Sequence, residues 1–193
     1  MPRRENRGVR RQPVARSRRT FLIYCGALRT ERDYFDGFRE RVRQGNVTLK
    51  VRQEGIDPAA VVRAAAGYRD RSPDRFDEVW CVVDTDQYDI DAAVVEARRC
   101  SVQLAVSNPC FELWLLLHLA DCRAFCRDRK EVERRLHKHV PTYDKRRLNF
   151  ADFAPGVNNA IKRARDLDPT GTEHGRNPWT NVWQLVERIL EGT

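Results

Sequence analysis

The chain has 193 residues, 41% of them hydrophobic and 33% charged, with a formal net charge of +8. That length sustains a hydrophobic core without disulfide staples, and no run of 18 or more apolar residues offers a membrane span. Most of the net charge sits in residues 1–20, which hold eight arginines and one acid, so a uniformly basic body is excluded.

Residues 1–18 are expected to form a disordered basic arm, since high charge and low hydrophobicity disfavour a packed core. Within and beside it, Arg3, Arg4, Arg10, Arg11, Arg18 and Arg19 are the candidate nucleic-acid contacts. Clustered arginine attracts phosphate at long range and without sequence preference; a solvated tail is the alternative. No apolar segment accompanies the charges as in a secretory signal. Six cysteines scattered through apolar segments read as buried thiols of a reducing compartment, which points to the cytoplasm.

Phe21-Leu22-Ile23-Tyr24-Cys25 predicts a first buried strand. A helix opens at Thr30-Glu31, with Tyr34, Phe35 and Phe38 on one face, and stops near Gly45-Asn46. Val47 to Val51 alternates apolar and polar residues, a second strand. Asp57-Pro58 supplies an N-cap acceptor and a residue suited to the first helical position, leading into an alanine-rich helix over 59–69. Val79-Trp80-Cys81-Val82-Val83 is apolar on both faces, as a central parallel strand is. A helix over 91–100, a strand over 102–106 and a helix entered at Asn108-Pro109 and running to His118 complete the alternation. Strands alternating with helices imply βαβ units and a parallel sheet. Helices are then expected over 128–139, 156–167 and 178–191. The predicted organisation is a basic arm (1–18), an α/β core (19–120) and a helical C-terminal third (121–193) packed on the core.

Asp84 and Asp86 come directly after the central strand, where open α/β sheets bind ligands. At i and i+2 in extended chain they share a side, and two carboxylates so close need a cation or donors. Hard oxygen donors suit Mg²⁺ or Mn²⁺; simple capping and solvation is the bland reading. Glu31, just past the first strand, and Glu112, just past the fourth, lie at the same edge and could join them. Glu31 could also be ordinary first-turn capping chemistry. The spacing of His118, Cys122 and Cys126 matches no common zinc knuckle; on a helix it would align them on one face as buried thiols and a histidine. No Gly-rich phosphate loop or nucleophile elbow is present.

Several segments together resemble the RloB-like family: Phe21 to Cys25 with Thr30-Glu31 and Tyr34-Phe35, then Asp84-Thr85-Asp86, then Ser107-Asn108-Pro109-Cys110-Phe111-Glu112-Leu113-Trp114-Leu115-Leu116, and late in the chain Asn177-Pro178 with Thr180. The resemblance implies a Toprim-like parallel sheet, anti-phage defence, abortive infection and restriction loci, and an ATPase partner. It also implies Mg²⁺-dependent phosphodiester chemistry on DNA or RNA, with Asp84 and Asp86 matching the Asp-x-Asp of Toprim sites. The acid that the family places after the first strand is missing: this chain reads Cys25-Gly26-Ala27. Three readings are therefore open. One is a metal-dependent nuclease with Asp84 and Asp86 holding the cation and Glu31 or Glu112 completing the site. Another is a catalytically reduced subunit that binds nucleic acid or an ATPase. A plain scaffold is the third.

Overall fold

The computed structural model describes residues 18–26, 29–53, 57–85, 88 and 90–193. The strands are β1 (Arg19–Cys25), β2 (Val47–Gln53), β3 (Glu78–Asp84), β4 (Gln103–Asn108) and β5 (Trp179–Thr180). The helices are α1 (Thr30–Val42), α2 (Pro58–Asp70), α3 (Ile90–Cys100), α4 (Glu112–Leu119), α5 (Arg129–His137), α6 (Val157–Leu167) and α7 (Val182–Leu190). The sheet order is β2-β1-β3-β4-β5; the first four strands are parallel and β5 runs antiparallel to β4. The expected α/β class with a parallel sheet and a helical C-terminal part is what the chain forms.

The strand alternation sorts side chains to two faces. Phe21, Ile23, Cys25, Trp80, Val82 and Ala105 belong to one core with α1, α4, α5, α6 and α7. Leu22, Tyr24, Val79, Cys81, Val83 and Val106 belong to a second with α2 and α3. Both faces of β3 are thus covered, as its unbroken apolar sequence requires. At the start of α2, Asp57 accepts from the backbone N–H of Ala59 and Ala60 at 3.2 and 3.1 Å, with Pro58 in the first turn.

Three local expectations are corrected. The last helix begins at Val182, because Trp179 and Thr180 pair with Asn108 and Ser107 as an edge strand. There the Asn181 side chain extends the pairing, accepting from Val106 N–H at 2.6 Å and donating to Leu104 C=O at 3.1 Å. Asn108 ends β4 instead of capping α4; its amide donates to His174 C=O at 3.1 Å. Cys122 and Cys126 lie in a loop after α4, which stops at Leu119, and not on a helix. No helix among the described residues is long and apolar enough to cross a membrane.

Candidate functional site

Parallel topology puts the ends of β1, β3 and β4 on one edge of the sheet. β3 ends on Asp84, whose register partner in β4 is Ser107, and Thr85 N–H donates to Ser107 C=O at 3.0 Å. β4 then leads through Asn108, Pro109, Cys110 and Phe111 into Glu112, the first residue of α4. β1 leads into Thr30-Glu31, the first turn of α1. Three acids from three chain segments therefore meet this edge.

The cation among them is one that sequence reasoning missed. Arg129 Nη2 donates to Asp84 Oδ2 at 3.1 Å, and its Nε lies 3.9 Å from Glu112 Oε2. Glu112 is buried and its Oε1 accepts from Tyr143 O–H at 3.3 Å. Glu31 is 1% exposed, and among the described residues neither of its carboxyl oxygens has a hydrogen-bond partner. Its pKa is pushed up to about 8: burial is the main cause and Glu112 adds to it, against the opposing pull of its own backbone N–H and of Arg129. At neutral pH the Glu31 carboxyl is therefore held largely protonated. Burial also raises the thiols of Cys25 and Cys110, reinforced by Glu31 at the first and by Glu112 and Asp84 at the second. Thiols so held are poor nucleophiles.

Arg129 is the first residue of α5. A cation there opposes the helix dipole, which favours acids in the first turn; Asp84 and Glu112 supply the compensating attraction. Its position is set by the loop before it. Asn177 clasps Cys126, accepting from its N–H and donating to its C=O, both at 2.9 Å, and it also donates to Asn108 Oδ1 at 3.4 Å. Asp128 then caps α5 by accepting from Glu131 N–H at 2.9 Å. The two Asn-Pro segments of the sequence thus meet in space and aim α5 at the carboxylates. An arginine directly after an N-cap aspartate was the available sequence signal for Arg129; Tyr143 carried none.

The structure brings Glu31, Asp84 and Glu112 to one edge around Arg129 without closing them into a cage. Among the described residues, no three His, Cys, Asp or Glu side chains converge closely enough to hold a metal ion. Asp86 lies outside the described residues, as do Arg3, Arg4, Arg10 and Arg11. Arg18 is exposed. Arg19 opens β1 at the opposite, amino edge of the sheet, where it pairs with Glu78 and lies over the Phe21 ring at 5.3 Å. Its charge is engaged within the fold. Both ring nitrogens of His118 are engaged, Nε2 with Tyr34 O–H at 3.1 Å and Nδ1 with Trp114 C=O at 2.8 Å. All six cysteines are free; Cys122 and Cys126 have their sulfurs 3.6 Å apart.

Gly26 marks the absent acid. Its N–H donates to Val82 C=O at 2.9 Å, and a Cβ placed there would meet Val61, Val82 and Val83 at 3.5 Å, an ordinary contact distance. The backbone would accept a side chain at this position.

No curated protein and no solved structure matches the chain. The profile of the RloB-like protein family matches residues 21–189, which reaches from within β1 to within α7 and so takes in all of the sheet but the first two residues of β1. The chain is therefore a member of the RloB-like protein family.

Proposed function

We propose that the carboxyl edge of the sheet is a divalent-cation site for phosphodiester chemistry on nucleic acid, serving a Toprim-like nuclease in anti-phage defence. One observation carries this reading: Glu31, buried beside Glu112 and Arg129, has two carboxyl oxygens with no hydrogen-bond partner among the described residues. Burying a carboxyl without donors is costly, and a fold selected only for stability would fill that position with an apolar side chain.

The donor chemistry suits a hard dication, since Asp84, Glu112 and Glu31 offer oxygen only, as Mg²⁺ and Mn²⁺ prefer; with Arg129 among them the three do not converge on one point, so a bound ion would have to draw them together. When bound, such an ion would polarise a phosphate oxygen and lower the pKa of an attacking water. Asp84 anchors the site from the rigid end of β3. Glu112 is oriented by Tyr143, and the apolar surroundings of α1 and α4 keep water from Glu31. Asp86, two residues beyond Asp84, is the further ligand that the family resemblance suggests.

Cleavage of DNA and RNA in Mg²⁺ and Mn²⁺ tests the reading. Asp84→Ala, shown to be folded by thermal unfolding, is expected to lose roughly 10²–10⁴-fold in rate, the size of effect of losing one catalytic group. Undiminished cleavage by that variant would reject the assignment.

A second reading rests on Gly26. If the first-strand acid is essential, the chain is a binding subunit for nucleic acid or an ATPase, with the arginines of 1–18 as a salt-sensitive contact. Gly26→Glu then confers cleavage that the natural chain lacks, and removal of residues 1–18 flattens the salt dependence of nucleic-acid binding.

A further inference from the structure

We propose that Arg129 is the built-in counter-ion of this site: it competes with the divalent cation for Asp84 and Glu112 and, once displaced, is offered to the substrate's phosphate. The inference rests on the cation-binding reading above and adds to it the regulation of the site by one of its own residues.

The geometry carries the competition. Arg129 lies between the partly buried carboxylate of Asp84 and the buried one of Glu112, 3.1 Å from the first and 3.9 Å from the second. A dication drawn to the same oxygens meets a positive guanidinium already on them, and like charges at such range repel strongly. Both cannot hold Asp84 and Glu112 together. Of the three side chains, the guanidinium is the one with a way out to solvent. Arg129 is 32% exposed, whereas the side chains of Asp84 and Glu112 are 10% and 4% exposed. Its stem starts at the amino end of α5, so rotation about its side-chain bonds moves the charge outward without unwinding the helix.

Displacement puts the guanidinium at the mouth of the site, beside the first turn of α5. Arginine binds a phosphate through two parallel N–H donors, as it binds a carboxylate. The side chain that neutralises the acids in the resting protein thus has the right chemistry to receive a phosphodiester after the cation arrives. In the resting state it also lowers the negative charge that phosphate would otherwise meet. A merely structural Arg129, tying α5 to β3, would have neither property.

The test is calorimetric titration of Mn²⁺ into the full chain carrying the natural residue, Arg129→Gln or Arg129→Lys, with thermal unfolding of each. Arg129→Gln is expected to bind Mn²⁺ about tenfold more tightly, within the usual range for coupled sites. Arg129→Lys, which keeps the charge, is expected to stay near the natural protein. At saturating Mn²⁺, Arg129→Gln is expected to bind a short single-stranded oligonucleotide more weakly, so the two affinities move in opposite directions. Mn²⁺ binding that is equal in the natural chain and Arg129→Gln overturns the competition and leaves the cation site standing. Absence of Mn²⁺ binding in every form defeats the cation reading itself, and this inference with it. If Arg129→Gln does not fold, Arg129→Met, which keeps the aliphatic stem, is read the same way. If neither folds, Mg²⁺ titration of the natural protein decides: the Arg129 Nε–H resonance is expected to shift or broaden, and an unmoved resonance refutes displacement.

Discussion

Two buried carboxyl groups in this protein live in opposite circumstances. Asp168, at the end of α6, is 3% exposed and accepts from Thr170 N–H and O–H, Thr172 N–H, Glu173 N–H and Trp179 Nε1–H, at 2.6–3.0 Å. Burial works against its charge, yet the bonds from Thr170, Glu173 and Trp179 hold its carboxyl below the ordinary aspartate range. Glu31 is as buried and has no hydrogen-bond partner on either oxygen among the described residues. The first is a carboxylate that the fold has completed; it knots the loop after α6 and seats Trp179 in the edge strand. The second is a carboxyl that the fold has left incomplete, at the sheet edge where ligands bind. Burial alone does not mark a functional acid; burial with unmet hydrogen-bonding capacity does.

The largest effect that would sharpen this contrast is at Asp168. Asp168→Ala leaves five donors without their acceptor and is expected to cost about 3–5 kcal/mol, given ~1–3 kcal/mol for each buried group left unsatisfied and partial recovery by water. Urea denaturation measures it, and a cost below ~1 kcal/mol would break the contrast. Glu31→Gln is expected to do the reverse, raising stability by on the order of 2 kcal/mol at pH 8 and above, because an ionised buried carboxylate is removed. The pH dependence has a definite sign. The folded chain holds the Glu31 proton up to about pH 8 and the unfolded chain loses it near 4.5, so stability falls as pH rises through that window. In Glu31→Gln this slope disappears. Asp168 contributes oppositely: its stabilisation is present above the ordinary aspartate value of 3.8 and is lost as the pH falls below it. The smallest effect is Tyr143→Phe, which removes one donor from Glu112 at a cost of about 0.5–1.5 kcal/mol; thermal unfolding checks it.

The sheet was legible because its signals are local. The apolar run of β3 and the Asp57-Pro58 helix start are each contained in a few adjacent residues, and alternation of strand and helix then dictates a parallel order. Glu31, Asp84 and Glu112 were legible as edge residues for the same reason: each lies at or just past the end of a strand. The features that escaped depend on pairing between distant segments. Trp179-Thr180 is too short to carry a strand signal and becomes one only against Ser107 and Asn108. Arg129 lies 45 residues from Asp84, and nothing local shows that Asn177 draws the Cys126 loop over the sheet edge to deliver it. Arg19 read as part of a basic arm because charge counts along the chain; its partner Glu78 is a neighbour only once β1 and β3 pair.

The proposed cation at the sheet's carboxyl edge would rest on Asp84 with Glu31 or Glu112. Crystals grown with Mn²⁺ and measured at the manganese absorption edge test it most directly. An anomalous peak bonded to Asp84 and to Glu31 or Glu112 is expected, with the Arg129 guanidinium turned away. A Mn²⁺-saturated crystal with no peak at this edge, and with Arg129 still on Asp84, would contradict it.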